Sequence, residues 1–412
     1  MTDVHHGSPW VYAPFRHVVL ARSLSGAASY MQIVGAGWLV FHLSGSAMAV
    51  GILAALALGP SLVGAPIGGA LSDRFCPRKL GITFALLQIL SPAAMAILAF
   101  NDQLTIPLIY ALVLLGAIPY SLGQPVMALI IPFTVPADLR HQAVAGSSMA
   151  YNISRLLGAA LGGVVLSWIG PAGTFAANAA SYAVVAWVLW RAKVIQSACD
   201  QARAPRSGGI VGGVREGWHF PVVRIVAVGA GMFFLFIGPL EQLMPKVAAA
   251  HGDDPMMLGV LLAAIGVGGL LANPFIKRRV MDSMSGSAAI AVGLAVGCCG
   301  IAFLAVSPGY LADLASLLLV GAGWEFVFVS GQGARTLDVP RDISGRMIGF
   351  FYVLVTATAA AGALLMGYMF DHLGLRVSLL AVATVVAATA VVLWLRAHAG
   401  NFVVDPESTA GR

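Results

Sequence analysis

Apolar runs of about 20 residues, separated by short polar punctuation, fill the chain almost from end to end. A bilayer-crossing helix needs roughly 20 mostly apolar residues. On that measure twelve spans fall at 18–43, 47–71, 80–100, 106–132, 142–168, 172–192, 225–247, 256–276, 288–306, 311–334, 346–369 and 376–396. Turn formers mark the joints at Gly45-Ser46, Asn101-Asp102, Gly170-Pro171 and Ser307-Pro308. The first run is longer than a signal-peptide core and flows straight into the next span, so it reads as a retained helix. One connector is long. Residues 193–224 are rich in Arg, Gly and Ser and read as a cytoplasmic linker with a short amphipathic piece, Val214 to Phe220. The expected organisation is an N-terminal six-helix half (1–192), this linker, a C-terminal six-helix half (225–397) and a tail (398–412).

Composition agrees with lipid as the solvent. Of the 412 residues 59% are hydrophobic and only 10% charged, against about 25% charged in ordinary soluble domains. Mean hydropathy is +0.89. The net charge of +6 raises nucleic acid as a partner, but the placement of charge excludes it. With the N-terminus inside, only Lys246 and Arg376 fall outside and only Arg22 and Arg155 fall within spans. The other Lys and Arg lie on the cytoplasmic side or at its helix ends, as the positive-inside bias requires. Both termini are then cytoplasmic. The four cysteines, Cys76, Cys199, Cys298 and Cys299, show no spacing for a disulfide framework or a zinc site. The histidines are scattered, and neither a metal nor a cofactor is expected.

The chain repeats itself. Gly68-Gly69-Ala70-Leu71-Ser72-Asp73-Arg74-Phe75-Cys76-Pro77-Arg78-Lys79 closes span 2, and Gly268-Gly269-Leu270-Leu271-Ala272-Asn273-Pro274-Phe275-Ile276-Lys277-Arg278-Arg279 closes span 8. A second echo pairs Val135-Pro136-Ala137-Asp138 with Val339-Pro340-Arg341-Asp342, and Gly158 and Gly163 with Gly362 and Gly367. Two echoes at nearly equal offset point to duplication. Parallel six-helix repeats with a midplane site are one established transporter plan. Gly64-x-x-x-Gly68 and Gly158-x-x-x-Gly162 read as close helix packing rather than ligand binding.

The run Gly69-x-x-x-Asp73-Arg74-x-x-x-Arg78-Lys79 resembles the signature loop of the major facilitator superfamily. Trp38 to Ser46, Pro132 to Asp138, and Gly158 to Gly163 are similar to its enterobactin-exporter-like branch, which includes siderophore and drug exporters. The resemblance covers nearly the whole chain. It implies an all-α membrane protein of two pseudo-symmetric six-helix bundles. It also implies that the loop latches a cytoplasmic gate, and that spans 1, 4, 7 and 10 line the path while 3, 6, 9 and 12 face lipid. Relatives often carry an acidic residue in span 1 near Ser29, and this chain has none. Locally, Asp73 beside Arg74, Arg78 and Lys79 can pair across to a neighbouring helix; alternatively the loop only fixes topology. Only the first copy keeps the acid–base pair, since Asn273 and Pro274 stand in the second, so an asymmetric latch carried by Asp73 is expected.

Ionisable side chains inside a membrane are expensive and default to functional hypotheses. Arg22, Ser25, Ser29 and Gln32 share one face of span 1. Ser148, Asn152 and Arg155 share a face of span 5, and Gly321, Glu325, Phe328 and Gln332 a face of span 10. Glu325 lies near mid-depth, where charging a carboxyl costs desolvation energy, so it is the first candidate for proton coupling. Glu241, near Pro239 and Pro245, is the second. Arg155 can bind an anionic group or snorkel; Arg22, one to two turns into its span, is expected to snorkel. Trp38, Gln124, Trp324 and Tyr352 complete the expected substrate cavity with Arg22, Ser29, Gln32, Asn152 and Arg155.

The reading is a secondary active transporter in the bacterial inner membrane, exporting a small amphipathic molecule against protons, as a monomer contacting membrane lipid. No Walker A sequence is present, and the intramembrane carboxylates sit singly on separate spans, which argues against a membrane-embedded enzyme. Uptake or lipid flipping by the same fold remains an alternative, as does a non-transporting sensor.

Overall fold

The computed structural model describes residues 8–192, 221–252, 254–283, 286–338 and 341–398. The predicted piece Val214 to Phe220 lies outside them, as does nearly all of the linker and tail. The regular structure among the described residues is entirely helical. Eleven helical segments are long and apolar enough to cross a membrane. One of them, Ala137–Arg191, runs 55 residues, more than twice what a bilayer of ordinary thickness requires (about 20). It is broken at Gly170, whose φ of 66° and ψ of −177° are non-helical. Glycine adopts that conformation without steric cost, and Pro171 follows it as a pre-organised helix start. The segment is therefore spans 5 and 6, and the total is twelve.

Local chemistry accounts for the other joints. Span 1 is Ala13–Ser44 and ends on Gly45, left-handed at φ 66°, whose N–H returns to the Phe41 carbonyl at 2.7 Å. This is an αL cap. Ser46 then caps the next helix by accepting from Ala49 N–H at 3.1 Å. Span 2 bends at Gly59-Pro60, between Ala47–Leu58 and Ser61–Arg74. Spans 3 and 4 are Pro77–Phe100 and Ile106–Ile130. Span 7 is shorter than its hydropathy suggests: the helix Pro221–Phe236 gives way to single turns at Gly238–Leu240 and Met244–Ala248. Pro239 and Pro245 lack the N–H that would continue the ladder. Spans 8 to 12 are Pro255–Ser283, Gly286–Val306, Tyr310–Asp338, Arg341–His372 and Leu375–His398.

Packing groups the described residues into two compact units, Met1–Arg206 with Gln242–Ala263, and Ser207–Glu241 with Ala264–Arg412. In the first unit, span 1 packs on the long helix of spans 5 and 6, span 3 on span 4 and on that same helix, and span 2 on span 4. In the second, span 9 packs on spans 10 and 12, and span 7 on span 11.

The repeated glycines do the same work in both units. A Cβ on Gly68 would stand 2.3 Å from the Leu122 carbonyl oxygen of span 4, and one on Gly268 would stand 2.0 Å from the Leu318 carbonyl oxygen of span 10. A Cβ on Gly158 would meet the Ala27 carbonyl oxygen of span 1 at 2.3 Å, and one on Gly362 the Leu235 carbonyl oxygen of span 7 at 2.0 Å. Backbones touch at these points, so no side chain fits. The echo in the sequence is thus an echo in helix packing.

The two copies of the signature run differ in shape. The first is interrupted only at Phe75 and Cys76, with Pro77 opening span 3. The second stays helical from Gly268 through Arg279, with Pro274 inside the helix. The sequence places a loop there; the helix instead continues to Ser283. Among the described cysteines, Cys298 and Cys299 are free.

Candidate functional site

The polar stripe of span 1 faces the interior of the first unit. The Arg22 guanidinium donates to Ser147 Oγ (3.4 Å) on span 5 and to Gln124 Oε1 (3.3 Å) on span 4, and stands 4.9 Å over the Tyr151 ring. Arg22 thus turns inward onto spans 4 and 5. Its helix begins at Ala13, earlier than hydropathy suggests. Beside it lies a cavity of ≈ 50 Å³ lined by Arg22, Ser29, Tyr120, Gln124, Tyr151 and Tyr182, among others. Tyr120 and Tyr151 share a hydroxyl–hydroxyl hydrogen bond of 2.8 Å.

A second layer of hydrogen bonds fixes this wall. Ser29 Oγ contacts Tyr182 OH at 2.8 Å and donates to the Ser25 carbonyl at 2.8 Å. Asn178 Nδ2 donates to Gln32 Oε1 at 2.5 Å, and Gln32 Nε2 reaches Met95 Sδ at 3.7 Å. Ser181 Oγ donates to the Asn178 carbonyl at 2.7 Å. Asn178, Ser181 and Tyr182 are all buried. They lie on span 6, which the resemblance assigns to lipid. The helix has two faces: Trp187 and Trp190 are exposed on one, and the amide, hydroxyl and phenol point inward on the other. The i, i+3, i+4 spacing of Asn178, Ser181 and Tyr182 is the signal in the sequence that marks this inward face.

The remaining candidates scatter. Arg155 stands 5.7 Å from the Tyr30 ring centroid. Trp38 stacks on His42 at 4.8 Å, and its buried Nε1 has no hydrogen-bond partner among the described residues. Asn152 is exposed and does not line the cavity.

In the second unit the interior is aromatic. Trp324 packs edge-on to Phe234 at 4.9 Å and to Phe233 at 6.2 Å. Tyr352 is exposed and meets Phe328 at 6.2 Å. Glu325 Oε1 accepts from Asn273 Nδ2 at 2.7 Å, so the Asn that replaces the acid in the second signature copy holds the candidate acid of span 10. Glu241 follows the single turn Gly238–Leu240, beyond the helical part of span 7.

The first signature copy is also resolved into parts. Gly69 has open space around it, and Asp73, Arg74 and Lys79 are exposed. Arg78 Nε donates to the Leu189 carbonyl at 2.9 Å, and its Nη2 donates to the Trp190 carbonyl. A guanidinium on the last carbonyls of span 6 complements the helix dipole. Arg78 therefore ties span 3 to span 6 inside the first unit.

A family model described as transmembrane secretion effector (MFS_3) matches residues 6–403. The chain is a member of that family. It belongs with the drug-efflux branch of the major facilitator superfamily and is a multi-pass membrane protein. It is 26% identical over 386 residues to the multidrug efflux pump Tap of Mycolicibacterium fortuitum, covering 89% of this chain and 92% of that one. It is 24% identical over 331 residues to the class B tetracycline resistance protein of Escherichia coli, covering 78% and 79%. Among solved structures, a bacterial homologue of the human lysosomal transporter Spinster, inward-facing and occupied, matches with a TM-score of 0.73 at 16% identity, over 95% and 97% of the two chains. The D-xylose–proton symporter matches at 0.69 and 18%, over 92% and 97%. Two bundles of six helices thus fit this secretion-effector chain as a fold.

Proposed function

We propose that the protein is a secondary active transporter that exports a small amphipathic organic molecule, drug-like in character, across the bacterial inner membrane in exchange for protons. The observation that carries this reading is the family match over residues 6–403, with named efflux pumps similar over about nine-tenths of both chains. The halves 1–192 and 225–397 move by alternating access, the plan that parallel repeats serve elsewhere. The chain acts as a monomer among lipids, and its work is transport rather than catalysis. Substrate is held by Arg22, Ser29 and Gln32 of span 1 with Gln124 and Arg155. Asp73 serves the cytoplasmic gate, and Arg78 anchors the helix end beside it.

Glu325 is the proton-coupling carboxyl. A mid-span carboxyl is a costly group to retain without such a role, and the Asn273 amide fixes its position. Glu241 is the weaker candidate because it sits past the end of a broken helix.

The test is accumulation of ethidium and tetracycline in efflux-deficient bacteria expressing the chain. Expression should lower accumulation at least severalfold, and collapse of the proton gradient should abolish the difference. Raised accumulation, indicating uptake, or a difference indifferent to the gradient would overturn the proposal.

A further inference from the structure

Among the described residues of the first unit, Arg22 is a partly buried positive charge facing inward, and no carboxylate is buried with it. Arg22 has as its polar partners the Ser147 hydroxyl, the Gln124 carbonyl and the Tyr151 ring, all neutral. Both hydrogen bonds are long, at 3.4 and 3.3 Å, and a guanidinium carries five N–H donors. The carboxylates of this unit among the described residues are Asp73, Asp102, Asp138 and Asp254, and every one is exposed. Arg22 is partly buried, and removing a charge from water without a counter-ion is costly, so the lack of a carboxylate beside it among the described residues needs a physical answer.

The cavity supplies one. Its ≈ 50 Å³ exceeds the roughly 10–15 Å³ on the same measure that one water needs, so it has room for a small ion with its remaining hydration. Its wall sets the Arg22 guanidinium and the Tyr120 and Tyr151 hydroxyls among apolar side chains such as Phe84, Met127 and Val185. The Tyr120–Tyr151 pair places one proton between its oxygens, which leaves the other free to donate. The wall itself is held in place by Asn178, Tyr182 and Ser29.

We infer that the Arg22 cavity is a binding site for a single small monovalent anionic group, either free chloride or the carboxylate of a transported molecule. The guanidinium supplies the charge, and the free hydroxyl proton of the Tyr120–Tyr151 pair supplies a further donor. Both sources share one chemistry: a compact acceptor with one negative charge. The inference builds on the reading of this cavity as a ligand site. It concerns binding alone, and holds whatever the direction of transport or the coupling ion.

The experiment is thermal unfolding of the full chain in lipid nanodiscs at constant ionic strength, exchanging sodium gluconate for sodium chloride, and separately titrating alkyl carboxylates of increasing chain length. A saturable rise in Tm of about 3 °C or more is expected from one of the two series, since a ligand that binds only the folded state stabilises it. Chloride alone raising Tm identifies a free-ion site. Carboxylates raising it, with potency growing with chain length, identify the head group of a transported amphiphile. Arg22→Gln should remove the rise, and Arg22→Lys, which keeps the charge, should retain part of it. No saturable rise in the wild-type protein overturns the inference without reference to any variant. A rise that persists in Arg22→Gln overturns it as well. Efflux with no anion effect would leave the transporter reading standing while sinking this one; an anion effect without efflux would do the reverse.

Discussion

The two units share a scaffold and differ in chemistry. Gly68 and Gly158 bring span 2 onto span 4 and span 5 onto span 1, and Gly268 and Gly362 repeat those approaches on spans 10 and 7. Inside that common frame the first unit holds Arg22 with a hydroxyl- and amide-rich wall, while the second holds Phe233, Phe234 and Trp324, with the acid Glu325 on an amide. Both units keep glycine at these positions where backbones touch, because any side chain there collides. They differ at the side chains that face the interior. The lesson is a division of labour: one unit offers positive charge and donors, the other apolar surface and a titratable carboxyl.

The strongest way to break this comparison is to attack the shared part. Gly158→Leu and Gly362→Leu should be equally damaging, each forcing a side chain into backbone about 2 Å away and costing about 3 kcal/mol or more. Size-exclusion profiles of the solubilised proteins should show loss of the folded species in both. Tolerance in one alone would mean that the units are not packed alike.

The amides sharpen the difference. Asn178→Ala leaves the Gln32 carbonyl without its donor and should cost about 1–3 kcal/mol, read as a lowered Tm. Asn273→Ala removes one hydrogen-bond partner of Glu325 and should cost about 1 kcal/mol, yet slow drug efflux at least severalfold. If the stability and transport effects fall the other way round, the division of labour fails.

The signature loop gives smaller effects. Arg78→Ala should lower stability by about 1 kcal/mol by freeing the Leu189 and Trp190 carbonyls, with efflux retained. Asp73→Asn should leave Tm unchanged and reduce efflux, since this exposed carboxylate has no partner in the first unit among the described residues. The smallest effect is expected from Tyr182→Phe, which loses one hydroxyl contact to Ser29 and about 0.5–1 kcal/mol.

Hydropathy makes the twelve spans legible because each crossing must hide its own backbone in lipid, and the Gly170-Pro171 joint is readable from turn chemistry. The contact glycines are legible too, since a small residue repeated at the same place in both halves marks a close approach of backbones. What escapes is orientation. Span 6 shows Trp187 and Trp190 to the outside, and its overall apolarity conceals the inward stripe of Asn178, Ser181 and Tyr182. The inward turn of Arg22 is hidden because its partners Ser147 and Gln124 lie 125 and 102 positions away. The breaks at Pro239 and Pro245 are visible as prolines, but hydropathy carries the predicted span straight through them. Asn273 reads as a lost acid, and its bond to Glu325, 52 positions away, is not encoded in local spacing.

The central claim is that export is coupled to protons through Glu325. The direct test is proton movement triggered by substrate in inverted membrane vesicles, with Glu325→Gln measured beside the wild type. The substitution keeps an oxygen for Asn273 Nδ2 to bond and removes the titratable group. Wild-type vesicles should release protons when substrate is added. Glu325→Gln vesicles should lose most of that signal, about a tenfold drop in rate, while still binding substrate. Undiminished proton release in the Glu325→Gln protein would contradict the account.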